Sequence, residues 1–428
     1  MKHLLALPLA ALFLSTPAQA APDYSARIAK ILKATPLIDG HNDWPETLLG
    51  NDGEKRWTLD LTKLDPQKYD TDITRLHAGM VGGQFWSVYV SAGLPELQQV
   101  KDTLEQIDLV KSIVGRYPNA FELATTAADV VRIHKAGRIA SMMGVEGGGQ
   151  IDQSLSVLRS YHALGAGYLT LTHALTIAWA DSATDNPQHD GLTPFGIAVV
   201  HELNRLGMLV DLSHVSEATM LDALAATKAP VIFSHSSARA VCDHPRNVSD
   251  AVLREVAKNG GVVMVNFAPQ YVNDARRIWG SERSGVIASY NAPPFGGLYI
   301  GQPEKAKAAL AQWEKDHPKP VVTLAMVADH IDHIAKVAGY DNVGIGSDYD
   351  GLGGDLPEGL DSVADYPALL AELMRRGWSD ANIAKLAGGN VLRVMAAAEK
   401  VAKAMAGEPP ATATMAALDG PATPPPAK

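Results

Sequence analysis

Eight short apolar segments recur along the chain, and most neighbouring segments are separated by residues with helical spacing. The apolar segments span residues 36–45, 84–90, 139–146, 167–173, 208–214, 230–235, 261–267 and 343–351. Short strands that alternate with helices pair in parallel, and eight such units favour a closed barrel. Such a barrel needs roughly 250 residues and tolerates insertions, so the 428 residues can hold one large catalytic domain. The sequence therefore predicts an α/β fold, a (β/α)8 TIM-like barrel.

Six of these predicted strands end in side chains that can bind a metal ion. They are His41 with Asp43, Glu146, His173, His214, His235 and Asp348, at the ends of strands one, three, four, five, six and eight. Any one of them alone is more often a satisfied core residue or part of an ordinary polar turn. Because the C-terminal ends of barrel strands form one rim, where active sites are built, their joint placement predicts a shared metal site.

The charge balance argues against a polyanionic partner. The chain has 47 acidic and 37 basic residues, a net charge of -10, and no dense run of Lys or Arg. Nucleic-acid binding and binding to an anionic membrane are therefore poorly supported.

The N-terminus has the pattern of a secretory signal peptide over residues 1–20. Lys2 precedes an apolar segment at 4–14, and Ala18 and Ala20 form a small-x-small cleavage site. The apolar segment is too short to span a bilayer. We expect cleavage after Ala20 and export to the periplasm or the medium, with the catalytic domain at 21–405.

The C-terminal end, residues 406–428, is rich in Pro, Ala and Thr and is predicted to be a disordered tail. Neither an apolar C-terminal segment nor a cysteine near the signal region suggests a lipid anchor, so no stable membrane anchor is expected. Cys242 is the only cysteine, which excludes an intramolecular disulfide.

Nine short motifs follow one another in a characteristic order between residues 36 and 397. They are IDGHND at 38–43, GVEGG at 144–148, LTH at 171–173, WAD at 179–181, ELNRLG at 202–207, DLSHVS at 211–216, PVIFSHSS at 230–237, RNV at 246–248 and SDYDG at 347–351. With them the chain resembles the membrane dipeptidases, also called renal dipeptidases. These are zinc-dependent hydrolases on a barrel related to the amidohydrolases.

The resemblance implies a binuclear zinc centre. His41 and Asp43 would bind one Zn²⁺, His214 and His235 the other, and Glu146 would bridge the two. Imidazole and carboxylate both suit zinc, and an anionic bridge offsets the repulsion between two dications about 3.5–4 Å apart. A water shared by the ions would become hydroxide at neutral pH, so no protein nucleophile is needed.

The resemblance also implies roles for side chains around the metals. His173 would stabilise the oxyanion, Arg246 would hold the substrate's terminal carboxylate, and Asp348 would carry a proton to the leaving amine near the substrate's amino end. Tyr271 matches a substrate-contact tyrosine, although plain packing is an equal alternative. Asp350 is expected to be structural.

Three features depart from the family pattern or leave a choice open. Trp44 stands where many relatives carry a smaller aliphatic residue. The segment at about 272–320 is an aromatic-rich insertion that could cap the rim or form a dimer contact. A non-covalent homodimer is implied by family likeness only, and the disulfides of animal relatives cannot form in the same manner from Cys242 alone.

These observations predict an exported zinc dipeptidase that hydrolyses free dipeptides by hydroxide attack and tolerates D-residues at the C-terminal position. The nearest alternative is a metal-dependent amidase or deacylase acting on N-acyl amino acids. A barrel that binds ligands without catalysis is disfavoured, because no expected ligand or catalytic position is missing.

Overall fold

The computed structural model describes residues 23–292, 294 and 296–420. The predicted signal peptide and residues 421–428 lie outside the described residues. The strands are β1 Leu37–Asn42, β2 Val81–Tyr89, β3 Phe121–Leu123, β4 Ile139–Glu146, β5 Ala166–Thr170, β6 Leu209–Asp211, β7 Ile232–Phe233, β8 Val262–Val265 and β9 Val343–Ile345.

Eight of these strands close into the predicted barrel. The sheet order is β2-β1-β9-β8-β7-β6-β5-β4-β3, and a further pairing of β2 with β4 closes the ring. All pairings between strands are parallel. The short β3, which the sequence pattern did not predict, pairs with β4 outside the ring. The (β/α)8 prediction is thus confirmed.

Helices surround the barrel. They are α1 Ser25–Ala34, α2 Trp44–Asp52, α3 Ile73–Ala78, α4 Glu96–Arg116, α5 Ala127–Lys135, α6 Leu155–Ala163, α7 Pro194–Leu206, α8 Glu217–Ala226, α9 Asp250–Asn259, α10 Pro269–Val272, α11 Asp274–Asn291, α12 Pro303–Asp316, α13 Leu324–Ala338, α14 Tyr366–Arg375, α15 Asp380–Ala384, α16 Asn390–Ala404 and α17 Met415–Asp419. Within the described ranges, none of them is long and apolar enough to cross a membrane.

Hydroxyl side chains fix where several of these helices begin. Ser154, Thr193, Ser216 and Ser249 each accept a hydrogen bond from a backbone N–H in the first turn of α6, α7, α8 and α9. Such caps satisfy donors that have no partner within the helix. They define where each connection from a strand end stops, and the site residues lie in these connections.

The barrel interior is filled by large side chains, and one glycine makes room for a tyrosine. Tyr168 on β5 is fully buried. A Cβ atom at Gly144 on β4 would lie 1.8 Å from the Tyr168 ring. A larger residue at position 144 would therefore displace Tyr168, which contacts a site histidine.

The aromatic-rich insertion forms a helical hairpin of α11 and α12. The ring centroids of Trp279 and Trp313 are 5.9 Å apart, and Trp279 donates a hydrogen bond to the carbonyl of His317 at 2.7 Å. Arg283 on α11 pairs with Glu314 on α12 at 2.7 Å. Both tryptophans of the insertion thus pack against each other within the hairpin.

The C-terminal tail departs from the predicted disorder over residues 406–420. The backbone of Ala411 bonds to Glu202 and Arg159, and the Asp419 carboxylate accepts hydrogen bonds from the Thr193 hydroxyl and the Phe195 N–H. These partners lie more than 200 residues earlier in the chain, at and around α7. Composition predicted disorder because the segment has little to bury, whereas its order comes from hydrogen bonds to distant residues and from burial of the Met415 side chain in the core.

Candidate metal centre

Loops and strand ends bring the predicted ligands to one end of the barrel. His41 lies in β1 and Asp43 directly follows that strand, while Glu146 is the last residue of β4. His214 and His235 follow β6 and β7 by two or three residues. The structure therefore brings together the five residues predicted to bind metal.

The Glu146 carboxylate is the centre of this cluster. Its Oε1 atom lies 3.0 Å from Nε2 of His214 and 3.4 Å from Nε2 of His235. Its Oε2 atom lies 3.3 Å from Nε2 of His41, which in turn is 3.4 Å from Oδ2 of Asp43. One oxygen thus faces each predicted pair of ligands, the arrangement that a bridging carboxylate requires.

A hydrogen bond behind His41 orients its ring. Nδ1 of His41 lies 2.9 Å from the Tyr168 hydroxyl, which also donates to the carbonyl of Gly40 at 3.3 Å. With the hydroxyl proton used on that carbonyl, Nδ1 of His41 is the donor, so Nε2 is the ring atom left to bind a metal ion. A hydrogen bond to the ring nitrogen that does not bind the metal fixes the tautomer of a metal-binding histidine.

A similar chain of contacts supports His235. Its Nδ1 atom lies 2.8 Å from the Ser234 hydroxyl, and that hydroxyl donates to Asp211 at 2.6 Å. Asp211 is fully buried and also accepts hydrogen bonds from Thr170 and Ser213. Nε2 of His235 is therefore the ring atom that faces the cluster, 2.8 Å from Nε2 of His214 and 3.4 Å from Oε1 of Glu146.

The cluster fits a divalent metal such as zinc. Nε2 of His41 is buried and has no hydrogen-bond partner among the described residues, which is costly unless a cation or water satisfies it. Three groups of side chains place their donor atoms within 4.8 Å of one another, namely His41 with Glu146 and His235, Glu146 with His173 and His214, and His41 with Asp43 and Asp348. Imidazole and carboxylate are zinc donors.

The electrostatics favour the forms that bind metal. Burial, followed by nearby positive charges, lowers the pKa of His214 and of His235 well below the usual value, which keeps both imidazoles neutral. Burial opposes ionisation of Glu146, yet the neighbouring histidines hold its pKa well below the usual value. Neutral His214 and His235 beside a charged Glu146 are the protonation states that metal ligands need. Burial opposes a charge on His41, but Tyr168, Glu146 and Asp43 raise its pKa well above the usual value, so a metal ion would have to displace a proton from this ring.

Asp348 lies in a strained loop after β9. Asp348 and Asp350 have φ of 69° and 65°, in the left-handed region that non-glycine residues seldom adopt. Asn266 donates a hydrogen bond to Oδ2 of Asp348 at 2.9 Å, and Oδ1 of Asp348 lies 4.0 Å from Nε2 of His41. Burial, and then the charge of Asp43, raises the pKa of Asp348 to about 8.

Contacts of Asp350 and Gly351 hold this loop in place. Asp350 and Asp70 each accept a hydrogen bond from the other's backbone N–H, at 2.9 and 2.8 Å. A Cβ atom at Gly351 would lie 2.3 Å from Oδ2 of Asp43 and 2.9 Å from Oδ1 of Asp348. Asp350 therefore faces Asp70, whereas Gly351 leaves room for the two carboxylates.

Arg246 and Tyr271 lie on another wall of the site. Arg246 is 1% exposed, and its guanidinium donates to the Ser236 hydroxyl at 3.2 Å and the His235 carbonyl at 3.1 Å. Its Nε is buried without a partner among the described residues. The Tyr271 ring centroid lies 5.4 Å from the guanidinium carbon. A buried, incompletely satisfied guanidinium is suited to bind an anion.

His173 covers the opposite side of the cluster. Its Nε2 atom is 3.9 Å from Oε1 of Glu146, and its ring packs against His214 and Tyr89 with centroids 4.2 and 4.5 Å away. Burial lowers the pKa of His173. The imidazole is therefore a neutral polar group beside the cluster, at a place where it can donate a hydrogen bond.

A cleft of about 260 Å³ is lined by seven of the predicted site residues, namely Asp43, Glu146, His173, His214, Arg246, Tyr271 and Asp348. The sequence reading missed Glu46 and Tyr89, which also line it, and the supporting residues Tyr168, Asp211 and Asn266. Burial, followed by the charges of Asp43 and Glu146, raises the pKa of Glu46 to about 8. The described lining includes Gln270 and Tyr271 but no residue of α11 or α12, so the insertion's aromatic side chains do not form this wall.

A buried histidine links the segment carrying Arg246 to the one carrying Tyr271. Nδ1 of His330 on α13 accepts the Ala238 N–H at 3.0 Å, and Nε2 contacts the Val272 carbonyl at 2.9 Å. Burial lowers the pKa of His330 to about 4. Protonation would remove the acceptor for Ala238 and place a charge in the interior.

The free energy of unfolding should therefore fall on acidification. The unfolded chain binds this proton below about pH 6.5 and the folded chain only near pH 4, so stability is full above pH 6.5 and is lost toward pH 4. We expect His330 to contribute about 2 kcal/mol of the loss between pH 7 and pH 5. Urea unfolding of His330→Gln should show a smaller loss than wild type, and exposed His77→Gln serves as the control. An unchanged pH dependence in His330→Gln would contradict this prediction.

A parallel barrel whose C-terminal rim holds clustered histidines and carboxylates defines a metal-dependent hydrolase. The sequence model of the membrane dipeptidases, peptidase family M19, matches residues 25–409. The chain belongs to this family and is a metallopeptidase, as the motifs predicted.

Solved structures of similar proteins agree with this assignment. The probable dipeptidase PvdM from Pseudomonas aeruginosa is 27% identical, with a TM-score of 0.73 over 88% of this chain and 98% of that one. Dipeptidase AC, a metallopeptidase of family M19, is 26% identical, with a TM-score of 0.68 over 85% and 99%. A metallopeptidase from Rhodobacter sphaeroides, solved with a phosphinate mimic of L-Ala-D-Ala, is 24% identical and shares the fold, with a TM-score of 0.68 over 85% and 99%.

Proposed function

We propose that this dipeptidase-family chain is a binuclear zinc enzyme that hydrolyses free dipeptides and tolerates D-residues at the C-terminal position. The observation that carries the proposal is a small cleft in which the Glu146 cluster lies between the buried guanidinium of Arg246 and the carboxylate of Asp348. A cleft of about 260 Å³ with an anion-binding and an amine-binding end suits a substrate with both termini free.

The ligand assignment is the one that the family motifs imply, and the distances around Glu146 support it. His41 and Asp43 would hold one Zn²⁺, His214 and His235 the other, and Glu146 would contact both through its two oxygens. Bound zinc would supply Lewis acidity toward the peptide carbonyl and a water of lowered pKa. The buried Nε2 of His41 supports occupancy of the first position.

The surrounding side chains would bind and orient the substrate. Arg246 would donate from its unpartnered Nε to the terminal carboxylate of the substrate. His173 would donate a hydrogen bond to the carbonyl oxygen as negative charge develops there. Asp348, held by Asn266, would move a proton from the attacking water to the leaving amine. Because Arg246 would contact the terminal carboxylate and not the side chain beside it, a last residue of either L or D configuration could bind.

The proposal can be tested with three related substrates. The zinc-loaded protein should hydrolyse Ala-D-Ala, and a chelator should abolish that hydrolysis. N-acetyl-Ala-D-Ala and Ala-D-alaninamide should each be cleaved at least about tenfold more slowly, because each lacks one terminal charge. Preferred cleavage of the acetylated compound would instead indicate a deacylase of N-acyl amino acids. Cleavage of none of the three would overturn the proposal.

Export and self-association are further proposals, which rest on the sequence. The signal pattern at 1–20 supports a periplasmic or secreted protein with Ala21 as its first residue. N-terminal sequencing of the mature protein would test this cleavage. A non-covalent homodimer follows from family likeness alone, and a monomeric mass in light scattering would contradict it.

A further inference from the structure

Glu46 is a carboxylate in the cleft that the proposed mechanism does not use. It lies in the first turn of α2, three residues after Asp43, and lines the same cleft as Asp43 and Tyr89. Within the part of the chain that the structure describes, its carboxylate accepts no hydrogen bond and forms no ion pair. A half-buried carboxylate without a partner is unfavourable, so this group is available for a ligand.

Glu46 and Arg246 approach the cleft from different parts of the barrel. Glu46 follows β1 and Arg246 follows β7, and these strands are separated by β8 and β9 on one side and by four strands on the other. A dipeptide whose terminal carboxylate contacts Arg246 extends its first residue away from β7. That residue then comes toward the walls formed by Asp348, Glu46 and Tyr89.

A second cavity continues beyond Glu46. This cavity of about 780 Å³ is lined by Glu46 and Gly351, which also line the cleft, and by the polar side chains Thr47, Asn51 and Gln67. The two spaces therefore adjoin at Glu46. A long side chain on the first residue can leave the small cleft here, with its end in polar surroundings.

We infer that Glu46 selects dipeptides whose first residue carries a long cationic side chain, such as lysine or arginine. This inference rests on the proposed dipeptidase function and adds a substrate class to it. A cation beside Glu46 would supply the partner that its carboxylate lacks. An uncharged side chain of the same length would cover the carboxylate and leave it unpaired, and unpaired buried polar groups are a strong source of discrimination.

Other charges near Glu46 are compatible with this selection. Burial, followed by the charges of Asp43 and Glu146, raises the pKa of Glu46 to about 8. Cations bound by Asp43 and Glu146 would offset the effect of these two charges, and a substrate cation would favour the ionised form of Glu46. The outer cavity is lined by Lys68 and also by Asp70 and Asp350, whose carboxylates already accept hydrogen bonds from each other's backbone N–H, so among the described residues of this lining Glu46 is the carboxylate that lacks a partner. The α-amino group of the substrate remains near Asp348.

A pair of substrates that differ only in charge tests the inference. Lys-Ala and norleucyl-Ala have side chains of nearly equal length, and kcat/KM is measured for both with the zinc-loaded full chain. We expect the wild type to prefer Lys-Ala about tenfold or more. In Glu46→Gln the ratio of the two kcat/KM values should fall to near one, whereas Glu304→Gln, an exposed change of equal charge on α12, should keep the wild-type ratio.

The outcomes distinguish failure of the Glu46 inference from failure of the proposed dipeptidase function. An equal rate for both substrates in the wild type would overturn the inference while leaving the dipeptidase function intact. An equal loss for both substrates in Glu46→Gln would assign Glu46 to the α-amino group and would also overturn it. Failure to cleave either substrate or Ala-D-Ala would overturn the proposed function, and the inference with it. The wild-type comparison needs no variant, so a misfolded Glu46→Gln protein would not prevent the test.

Discussion

The Glu146→Gln variant should bind less metal than the wild type and should lose about 10³-fold or more in kcat/KM. Both carboxylate oxygens of Glu146 face imidazole nitrogens, at 3.0 to 3.4 Å. The amide is neutral and only one of its two ends can bind a cation. It can therefore serve one metal position at most, and two dications would repel each other without an anion between them.

Metal content and activity together test this expectation. Elemental analysis of the dialysed protein should give about two Zn²⁺ per chain in the wild type and one or fewer in Glu146→Gln. The exposed Glu304→Gln variant is the matched control and should keep both metals and full activity. Thermal unfolding separates a lost ligand from a lost fold. A Glu146→Gln protein with two bound metals and wild-type kinetics would show that Glu146 is not a bridging ligand.

The barrel and the ligand cluster could be predicted because both follow from local pattern and chain order. Eight alternating apolar runs define the ring, and parallel pairing brings the C-terminal ends of the strands to one rim. His41, Glu146, His214 and His235 each come at or just after such an end. No knowledge of side-chain contacts was needed to expect them together.

The supporting residues could not be found in this way, because their roles depend on packing between strands. Tyr168 lies within β5 as one aromatic residue in an apolar run, and only the space above Gly144 lets its hydroxyl reach His41. A signal was present, since alternate residues of a barrel strand point inward. Tyr168 and Thr170 share a face of β5, and Thr170 contacts Asp211. Polar residues at alternate positions of a barrel strand therefore indicate contacts inside the barrel, as polar residues at strand ends indicate the rim.

Order in the tail and the exposure of Glu46 depend on residues distant in sequence. Asp419 is held by the first turn of α7, a partner that the composition of the tail does not reveal. Glu46 falls in the first helical turn after Asp43, where a carboxylate is common for reasons of helix stability. Only the shared wall of two cavities distinguishes it from an ordinary residue of that kind.

The Asp348→Asn variant should lose about 10² to 10⁴-fold in kcat while it keeps the metal content of the wild type. Asn266 donates to one oxygen of Asp348 at 2.9 Å, and the strained backbone at φ 69° fixes the direction of the other. An asparagine can keep this hydrogen bond and the shape of the side chain, but it cannot take up the proton of the attacking water. The fall should therefore appear in kcat more than in KM.

Asp350→Asn is the matched control, since it makes the same substitution two residues later in the same loop. Its Oδ1 atom accepts the Asp70 N–H, which an asparagine oxygen can also accept, so kcat should stay within about threefold of the wild type. Comparing Asp348→Asn with Glu146→Gln distinguishes a proton-transfer residue from a metal ligand. A variant that loses kcat but keeps its metals has lost a proton-transfer group, whereas a variant that loses kcat and metal has lost a ligand. If Asp348→Asn also lost one metal, Asp348 would belong to the coordination sphere, as its grouping with His41 and Asp43 permits, and the proton would have to pass through another side chain.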